Sequence, residues 1–436
     1  MKIKLIYPNP DSKDKLYGRR VHSAALQLLA AITPKRHDVT IVEEHLGEDF
    51  EYNDHVDLVG ITSMTIQSAR AYAIADEYRR RGVKVVLGGI HPSVVPEEAM
   101  QHADAVVVGE AELLWETVLN DFGNNIVKGI YRSNNLVDMK RIPPYRRDVF
   151  KKGTSFSLAQ VQATRGCPYD CSFCSAHLFS GRKYRFRPVE NVIAEIKALK
   201  EKVIFFLDDN IFANSNYSGE LFTELKKLNK IWVGQASMRL TVNNPGLLKL
   251  AQESGCSGLF IGVESISGKS LKEAGAFKKN TAASPRDIAT ALRIIHDHGI
   301  IIMAGIIFGF DNDDIDVFDR TTEFLTENKV ALSAFSTLTP FPGTKIFETM
   351  RAQNRILSYD WSQYDTNNAV FRPKLMGPEQ LREGTIKAGV KFYSGRNIFK
   401  KFFTNSRHPF YYSVLAFSAR HSCRTNNNIP FYMPSR

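Results

Sequence analysis

Cysteine is scarce in this sequence, which has five among 436 residues and none before Cys167. So few cysteines do not suit a disulfide-stapled extracellular domain, and they indicate a reducing compartment. Cys256 and Cys423, which stand apart from the other three, are interpreted as small buried hydrophobic residues.

Long apolar runs are also lacking. The longest run, residues 299–310, is shorter than the roughly 20 residues that span a bilayer, and it is predicted to be a buried strand. The apolar start, residues 1–8, is too short for a signal peptide and is predicted to be a first strand. We therefore expect a cytoplasmic protein.

The composition is that of a globular protein with more than one domain. Hydrophobic residues make up 43% of the chain and charged residues 24%, which is typical of folded globular chains. The length predicts two or three domains of roughly 100 to 200 residues each. The net charge of +11 suits nucleic acid, an anionic lipid surface or acidic substrates, and charge alone does not choose among them.

Three cysteines, Cys167, Cys171 and Cys174, fall within residues 167–174. Three thiolates hold three corners of a four-iron, four-sulfur cube and leave one iron open, whereas a closed electron-transfer cluster normally takes four cysteines. A zinc site is disfavoured, because zinc ligands usually come as two Cys or Cys/His pairs and the only histidine nearby is His177.

The spacing of three and then two residues between these cysteines, directly after a strand-like segment, resembles the radical S-adenosylmethionine (SAM) superfamily. The resemblance implies that the open iron of a 4Fe-4S cluster chelates SAM, and that an electron splits the sulfonium to give a 5'-deoxyadenosyl radical. Phe173 fits the aromatic residue that packs near the adenine in this superfamily. The electron is expected to come from a donor such as flavodoxin or ferredoxin.

Residues 1–125 are predicted to form a doubly wound α/β domain. Short apolar runs alternate with helical patterns such as residues 68–81, an order typical of a parallel sheet covered on both faces. The runs are residues 3–7, 39–42, 58–62, 83–87 and 105–108. Ligands of such sheets bind beyond the carboxyl ends of the strands.

Placed before the cysteine motif, this first domain resembles the cobalamin-binding domain of the B12-dependent radical SAM family. The Asp-x-His-x-x-Gly motif that ligates cobalt from below is missing. Two interpretations stay open: cobalamin held by loops alone, or a retained domain that has lost its cofactor. The resemblance implies cobalamin contacts from residues that follow three of the strands, namely Ser63, Met64, Thr65, Gly88, Gly89, His91, Gly109 and Glu110. His91 also fits as a residue that merely caps its turn.

Residues 126–156, rich in Asn, Pro and Arg, are predicted to be a linker. Strand-like and helical segments then alternate over residues 157–347, which resembles the partial (β/α)6 barrel of the superfamily. Residues 340–344 match its Pro-x-Pro-Gly-Thr closing turn. The six apolar runs are residues 157–163, 203–207, 231–236, 258–263, 300–308 and 334–338.

Barrel chemistry lies at the carboxyl ends of the strands, and polar residues follow several of the predicted strands. An acidic pair follows the second strand, where many members carry a Gly-Gly-Glu turn that grips the SAM amine. Arginine's forked donors suit the SAM carboxylate. The resemblance implies a SAM site formed by Phe173, Asp208, Asp209, Gln235, Ser237, Arg239 and Glu264.

Residues 348–436 are predicted to be a mainly helical extension, with a helix over residues 378–393. The resemblance implies that this extension closes over the barrel mouth and carries substrate specificity. The tail from residue 391 onward is basic and aromatic. Two interpretations of the tail stay open: a segment lying peripherally on a membrane surface, or a solvated helix that packs its aromatic residues on the barrel.

Three classes of function are weighed against these motifs. A transfer-RNA methylthiotransferase needs a second cysteine cluster upstream, which this chain lacks, and no nucleic-acid partner is expected. A non-catalytic cobalamin sensor leaves the cysteine motif without a role. A radical SAM enzyme that modifies an unactivated carbon uses both domains.

The reaction expected within this third class is cobalamin-dependent C-methylation, with cobalamin-independent oxidation, hydroxylation or rearrangement as the alternative. The cofactors carry such chemistry and the protein positions them, so the sequence does not identify a substrate-side catalytic residue. The substrate is expected to be a large hydrophobic molecule with an acidic group, because aromatic residues cover a skeleton while cations meet its charge. A tetrapyrrole or an isoprenoid fits this description.

Overall fold

The computed structural model describes residues 1–10, 22–48, 51–53, 55–149, 158–279 and 284–404, together with 416, 419–421 and 423. These residues form two parallel sheets of six strands each and one short antiparallel pair. No helix among them is long and apolar enough to cross a bilayer.

The first sheet is built from six strands: β1 (Lys2–Tyr7), β2 (Asp38–Glu43), β3 (Leu58–Thr62), β4 (Lys84–Gly88), β5 (Ala105–Val108) and β6 (Ile130–Arg132). Their order is β2-β1-β3-β4-β5-β6, and every neighbouring pair is parallel. The helices of this part are α1 (Ala24–Ile32), α2 (Ser68–Arg80), α3 (Ile90–Val94), α4 (Pro96–Ala99) and α5 (Trp115–Gly123). The predicted doubly wound fold is confirmed.

Successive residues of a strand point to opposite faces of its sheet, and β1 buries both faces. Leu5 packs in a cluster with Leu26 of α1 and Trp115 of α5. Its neighbour Ile6 packs in a separate cluster with Ile74 of α2. Helices therefore cover the first sheet on both sides.

The first sheet extends beyond residue 125, where the sequence predicted its domain to end. Strand β6 lies inside the segment predicted to be a linker and pairs with β5. Farther along that segment, Val137 and Tyr145 are buried in a cluster with Leu28 of α1 and Phe205 of the second sheet. The segment is thus packed between the two sheets. A strand of three residues among polar neighbours is too short to give an alternating pattern, so the sequence did not reveal it.

The second sheet follows the predicted runs. Its part of the chain contains the strands β7 (Leu158–Val161), β8 (Thr164–Arg165), β9 (Arg185–Phe186), β10 (Val203–Phe206), β11 (Ile231–Ala236), β12 (Cys256–Glu264), β13 (Ile301–Phe308) and β14 (Leu332–Thr337). The sheet order is β14-β13-β12-β11-β10-β7, all parallel, while β8 and β9 form the antiparallel pair. All six predicted barrel strands are present.

Helices follow these strands and cover the second sheet. They are α6 (Ala176–Ser180), α7 (Val189–Ala198), α8 (Ser215–Lys226), α9 (Met238–Val242), α10 (Pro245–Glu253), α11 (Gly268–Glu273), α12 (Pro285–Asp297), α13 (Val317–Glu327) and α14 (Lys345–Ala352). Several begin where the sequence supplies a cap. The side chain of Asn214 accepts the backbone N–H of Tyr217 at the start of α8, and Asn244 accepts that of Leu247 before Pro245 opens α10.

The extension carries two further helices, α15 (Pro378–Phe392) and α16 (Gly395–Thr404). The hydroxyl of Tyr393 donates to the backbone oxygen of Ser333 on β14 at 2.8 Å, and the ring of Phe392 lies 5.4 Å from that of Phe335. Helix α15 therefore packs along the edge strand of the barrel. Its Leu381, together with Phe371, also lies beside Gly309 at the carboxyl end of β13. That the extension closes the barrel mouth stays a prediction. Most of the basic tail lies outside the described residues, so both interpretations of the tail stay open.

Buried ion pairs join the first sheet to the antiparallel pair of β8 and β9. Glu110, which follows β5, accepts from Arg165 at 3.0 Å and from Arg185 at 2.8 and 2.9 Å. Arg165 also pairs with Glu112 at 2.5 Å. Burial opposes ionisation, but the two arginines hold the pKa of Glu110 below its usual range. The first sheet is thus tied by charge to β8 and β9 of the second part.

We predict that Glu110→Ala lowers the free energy of unfolding by about 3 to 5 kcal/mol, because it leaves the buried guanidinium group of Arg185 without its carboxylate and takes from Arg165 one of its two. Urea denaturation of the apo protein measures this loss. Glu116→Ala is the matched control, since Glu116 is exposed and faces Arg36 only at 3.9 Å, and exposed pairs contribute at most about 1 kcal/mol. Equal stability of the two variants would contradict the interpretation.

Candidate active site

The three clustered cysteines lie on the loop between β8 and α6, which we call the cysteine loop (residues 166–175). The loop begins with Gly166 at φ +90°, where a Cβ atom would come within 2.4 Å of the carbonyl oxygen of Lys183. Only glycine fits at this turn. Two backbone hydrogen bonds hold the middle of the loop, from Ser172 to Ala274 at 2.9 Å and from Ile346 to Ser172 at 3.0 Å.

The thiols of Cys167, Cys171 and Cys174 lie in a partly buried setting. Burial raises the pKa of each to about 11, so ligation must displace their protons. The positive charge of Lys279 acts on all three in the opposite direction. Among the described residues no three Cys, His, Asp or Glu side chains converge on one point as for a single metal ion. Three thiols on one loop beside a cation fit an anionic iron–sulfur cluster.

Glu264 ends β12 opposite the cysteine loop. Its backbone φ is +64°, which is unusual for a residue other than glycine. Its carboxylate pairs with the ammonium of Lys279 at 2.6 Å. Burial alone would lower the pKa of Lys279, but Glu264 and the nearby thiols raise it above the usual value. A carboxylate on a residue with strained backbone geometry, paired with a mostly buried cation, suits the recognition of a zwitterion such as SAM.

Sequence reasoning missed Lys279. It lies after α11 in a polar stretch with no motif, so no local signal marks it. Its carbonyl oxygen accepts the backbone N–H of Arg239 at 3.2 Å, which brings the start of α9 to the same place. The side chain of Arg239 is exposed, and its Nη1 donates to the carbonyl oxygen of Lys278 at 3.4 Å.

The acidic pair after β10 divides between two positions. Asp208 is fully buried and accepts from the hydroxyl of Thr164 at 2.5 Å and the backbone of Ala163 at 3.2 Å. It thus joins β10 to the segment after β7, which is a structural contact and not the open carboxylate that the sequence suggested. Asp209 accepts the backbone N–H of Gly166 at 3.2 Å and lies beside the cysteine loop.

Asn210, the next residue, is a second contact that the sequence did not predict. Its side chain is fully buried and holds Ser237 by two hydrogen bonds, at 3.1 and 3.2 Å. Gln235 lies half-buried near the end of β11. The ring of Phe173 packs edge-on to Phe310 at 6.1 Å. The structure thus places Asp209 and Glu264 around the cysteine loop, and fixes Ser237 through Asn210.

The carboxyl ends of β3, β4 and β5 border a mainly apolar cavity of about 130 Å³. Gly88, Gly89 and Gly109 line it together with Ala24 and other residues of α1. At Gly89 the backbone has φ +98°, and a Cβ atom would lie 2.8 Å from the backbone of Ser63. The absence of side chains at these turns leaves the cavity open to a ligand.

Buried polar atoms without a partner among the described residues lie on the same loops. The hydroxyl of Ser63 and the Nδ1 atom of His91 are both in this state. The other ring nitrogen of His91 lies 3.4 Å from Glu98. Buried polar groups normally have partners, so these two atoms suit a ligand that enters between the loops. Neither Ser63 nor His91 lines the cavity itself.

The extension reaches this region through Trp361. Its indole N–H donates to Glu98 at 2.9 Å, and its ring meets the edge of His91 at 5.4 Å. Glu98 also accepts from Tyr72 at 2.9 Å. The segment between α14 and α15 is therefore fixed to the loop that follows β4.

The cavity and the cysteine loop are neighbours. Arg165, two residues before Cys167, and Phe179 of α6 both line the cavity. Glu110 was expected to contact cobalamin, but both of its carboxylate oxygens accept from arginine. Glu112, two residues farther along the chain, lines the cavity. The cavity and the cysteine loop thus share a border at Arg165 and Phe179.

Two protein-family models match the chain in the regions just described. The model of the radical SAM superfamily matches residues 161–325, and the model of the B12 binding domain matches residues 17–119. These domains account for a 4Fe-4S cluster, SAM and cobalamin as cofactors.

Two relatives are similar to this chain along most of its length. The chain is 34% identical over 387 residues to the bacteriochlorophyllide d C-12(1)-methyltransferase of Chlorobaculum tepidum, covering 86% of this chain and 83% of that protein. It is 31% identical over 403 residues to the bacteriochlorophyllide d C-8(2)-methyltransferase of the same organism, covering 88% of each.

The fold as a whole resembles a solved structure with cobalamin. The cobalamin-dependent SAM radical enzyme OxsB with aqua-cobalamin bound superposes with a TM-score of 0.70 at 15% identity, over 95% of this chain and 72% of that one. The sequence similarity along most of the chain and the two family matches together show that the protein belongs to the radical SAM superfamily, among its members with a B12 binding domain.

Proposed function

We propose that the protein transfers a methyl group from SAM to an unactivated carbon of a tetrapyrrole, in a reaction that requires cobalamin. The observation that carries this proposal is the shared border between the cavity of the first domain and the cysteine loop. Two relatives above 30% identity are named for methylation of a bacteriochlorophyllide, which supports the tetrapyrrole as substrate. The isoprenoids expected from the sequence stay a prediction.

When bound, the cluster and SAM would supply the radical that activates the substrate carbon, and cobalamin would supply the methyl group. The chain's own residues would hold these groups. Cys167, Cys171 and Cys174 provide thiolates, while Glu264 and Lys279 present one carboxylate and one ammonium to the zwitterionic end of SAM.

The cavity of the first domain suits one flat ring of cobalamin better than the whole corrin. A cavity of about 150 Å³ binds a benzene ring, and the volume here is about 130 Å³. Cobalamin carries a flat benzimidazole base on its nucleotide tail, which would fit among the apolar residues of α1. The corrin would then lie outside, near Ser63 and Gly89.

A large apolar substrate is supported by the surface of the extension. Leu357 is 46% exposed and Tyr359 is 56% exposed, and both precede Trp361, which contacts the first domain. Exposed apolar side chains grouped in one segment are typical of a binding surface. An external electron donor and a peripheral membrane contact are part of the proposal.

The function is tested by supplying the reconstituted protein with SAM, cobalamin, a reductant and a bacteriochlorophyllide carboxylate under anaerobic conditions. We expect a product heavier by one methyl group, detected by mass spectrometry. The Cys167→Ala, Cys171→Ala, Cys174→Ala triple variant should lose iron and SAM cleavage, whereas Cys256→Ala, a change at a buried cysteine on β12, should keep both. Turnover without gain of a methyl group would favour oxidation or rearrangement instead.

Glu264→Gln is expected to weaken SAM binding by about tenfold or more, because a hydrogen bond to a charged group contributes about 1.5 to 3 kcal/mol and tenfold corresponds to about 1.4 kcal/mol. The amide keeps the shape of the side chain, so the iron content should stay unchanged. Equilibrium binding of SAM to the reconstituted protein measures the effect. Glu253→Gln, at an exposed residue of α10, is the control, and equal affinities would refute the role of Glu264.

Filling the cavity is expected to abolish cobalamin binding. In Ala24→Phe a ring occupies the space between α1 and the strand ends, so the bound cobalamin per protein, read from the visible spectrum, should fall from one towards zero. Ala31→Phe changes a residue of the same helix that does not line the cavity and should bind normally. If Ala24→Phe retains cobalamin while folded by circular dichroism, the ligand lies elsewhere.

A further inference from the structure

The outer side of the cysteine loop is bordered by exposed cations. Asp170, between the first two cysteines, pairs with Arg182 at 2.7 Å and with Lys345 at 2.5 Å. The side chains of Arg182 and Lys345 are 57% and 56% exposed, while that of Asp170 is 36% exposed. The loop that carries the thiols therefore reaches the protein surface at Asp170.

Two more cations lie next to this point and have no ion pair among the described residues. Lys183 is exposed, and its carbonyl group packs against Gly166 at the start of the cysteine loop. Lys278 is exposed and follows Gly275, whose Cβ position lies 3.1 Å from the carbonyl oxygen of Asp170. Phe277, the residue before Lys278, is 41% exposed.

We define the cysteine-loop rim as Arg182, Lys183, Phe277, Lys278 and Lys345. Arg182 and Lys345 pair with the carboxylate of Asp170. Lys183 and Lys278 add two exposed cations. Two other acidic residues lie close to the rim in sequence. Glu273 is directed to Asp311 and Asn312 by hydrogen bonds of 2.9 and 2.8 Å, and Glu348 pairs with Arg351 at 2.5 Å. The rim is thus a positively charged surface with one exposed aromatic ring at its edge, a composition that suits a transient protein contact.

We propose that the cysteine-loop rim is the docking surface for an acidic one-electron carrier protein that bears a flavin or an iron–sulfur group. The inference rests on the proposed function, since reductive cleavage of SAM needs an electron that the chain does not hold. One electron leaves the reduced carrier and enters the cluster, so that the carrier is oxidised and the cluster reduced by one electron, with no transfer of atoms. A negative carrier surface complements the rim.

Charge complementarity at such a contact acts mainly on the rate of encounter and on its dependence on salt. The rim residues with free charges lie outside the machinery that holds the cluster and SAM. A small reductant needs no docking surface. Reduction by a protein and reduction by dithionite therefore separate the role of the rim from the chemistry at the cysteines.

The test compares SAM cleavage by the cluster-loaded protein with two reductants: dithionite, and a bacterial flavodoxin kept reduced by its NADPH-dependent reductase. For the Lys183→Glu, Lys278→Glu double variant we expect kcat/KM for flavodoxin to fall about tenfold and its salt dependence to flatten. The rate with dithionite should stay within about twofold of the starting protein.

The control is the Lys2→Glu, Lys35→Glu double variant. It makes the same change of charge at two exposed residues near the amino ends of β1 and β2. It should behave as the starting protein with both reductants. An unchanged flavodoxin rate in the rim variant overturns the proposal, and so does an equal loss with both reductants. If the starting protein fails to cleave SAM with dithionite, the proposed function fails and the docking surface with it.

Discussion

The structure depends on buried ion pairs between its two halves. Glu110 and Glu112, at the end of β5, meet Arg165, which stands two residues before the first cluster cysteine. Removing such charges from water is costly unless they are paired and hydrogen-bonded, and here each guanidinium has a carboxylate within 3.0 Å. Because Arg165 directly precedes the cysteine loop, the ion pairs that join the first sheet to β8 also fix where that loop begins.

Backbone geometry supplies the second constraint. Gly166 and Gly89 both have positive φ angles and both lie where a Cβ atom would collide with a neighbouring main chain. One glycine opens the cysteine loop and the other opens the turn after β4. In parallel sheets the carboxyl ends of the strands meet at one edge, so the turn at Gly89 lies beside the turns after β3 and β5. The cavity at this edge borders the cysteine loop because Arg165, which lines the cavity, stands directly before that loop.

Much of this arrangement was predictable from the sequence, and what was not has a physical reason. The strands are marked by their periodicity and the cysteine loop by its spacing, and both signals are visible in the sequence without the fold. Glu110 and Arg185 are 75 residues apart, and their contact exists only once both sheets have formed. Lys279 gains its role from the carboxylate of Glu264 across a loop, and β6 is too short for a pattern. Glu110 was predicted to contact cobalamin because its place at the end of β5 was predictable, whereas its ion pairs with Arg165 and Arg185 were not.

The cysteine loop has two sides with different chemistry. Arg165 and Phe179 flank it on the side of the cavity, where apolar residues and paired charges keep water away. Asp170 lies within the same loop and faces solvent between two exposed cations. A carboxylate at this place keeps Arg182 and Lys345 oriented while leaving the surrounding charge positive. Under the docking proposal, an electron enters from the solvent side of this loop, while the reactive groups lie on the side of the cavity, apart from water.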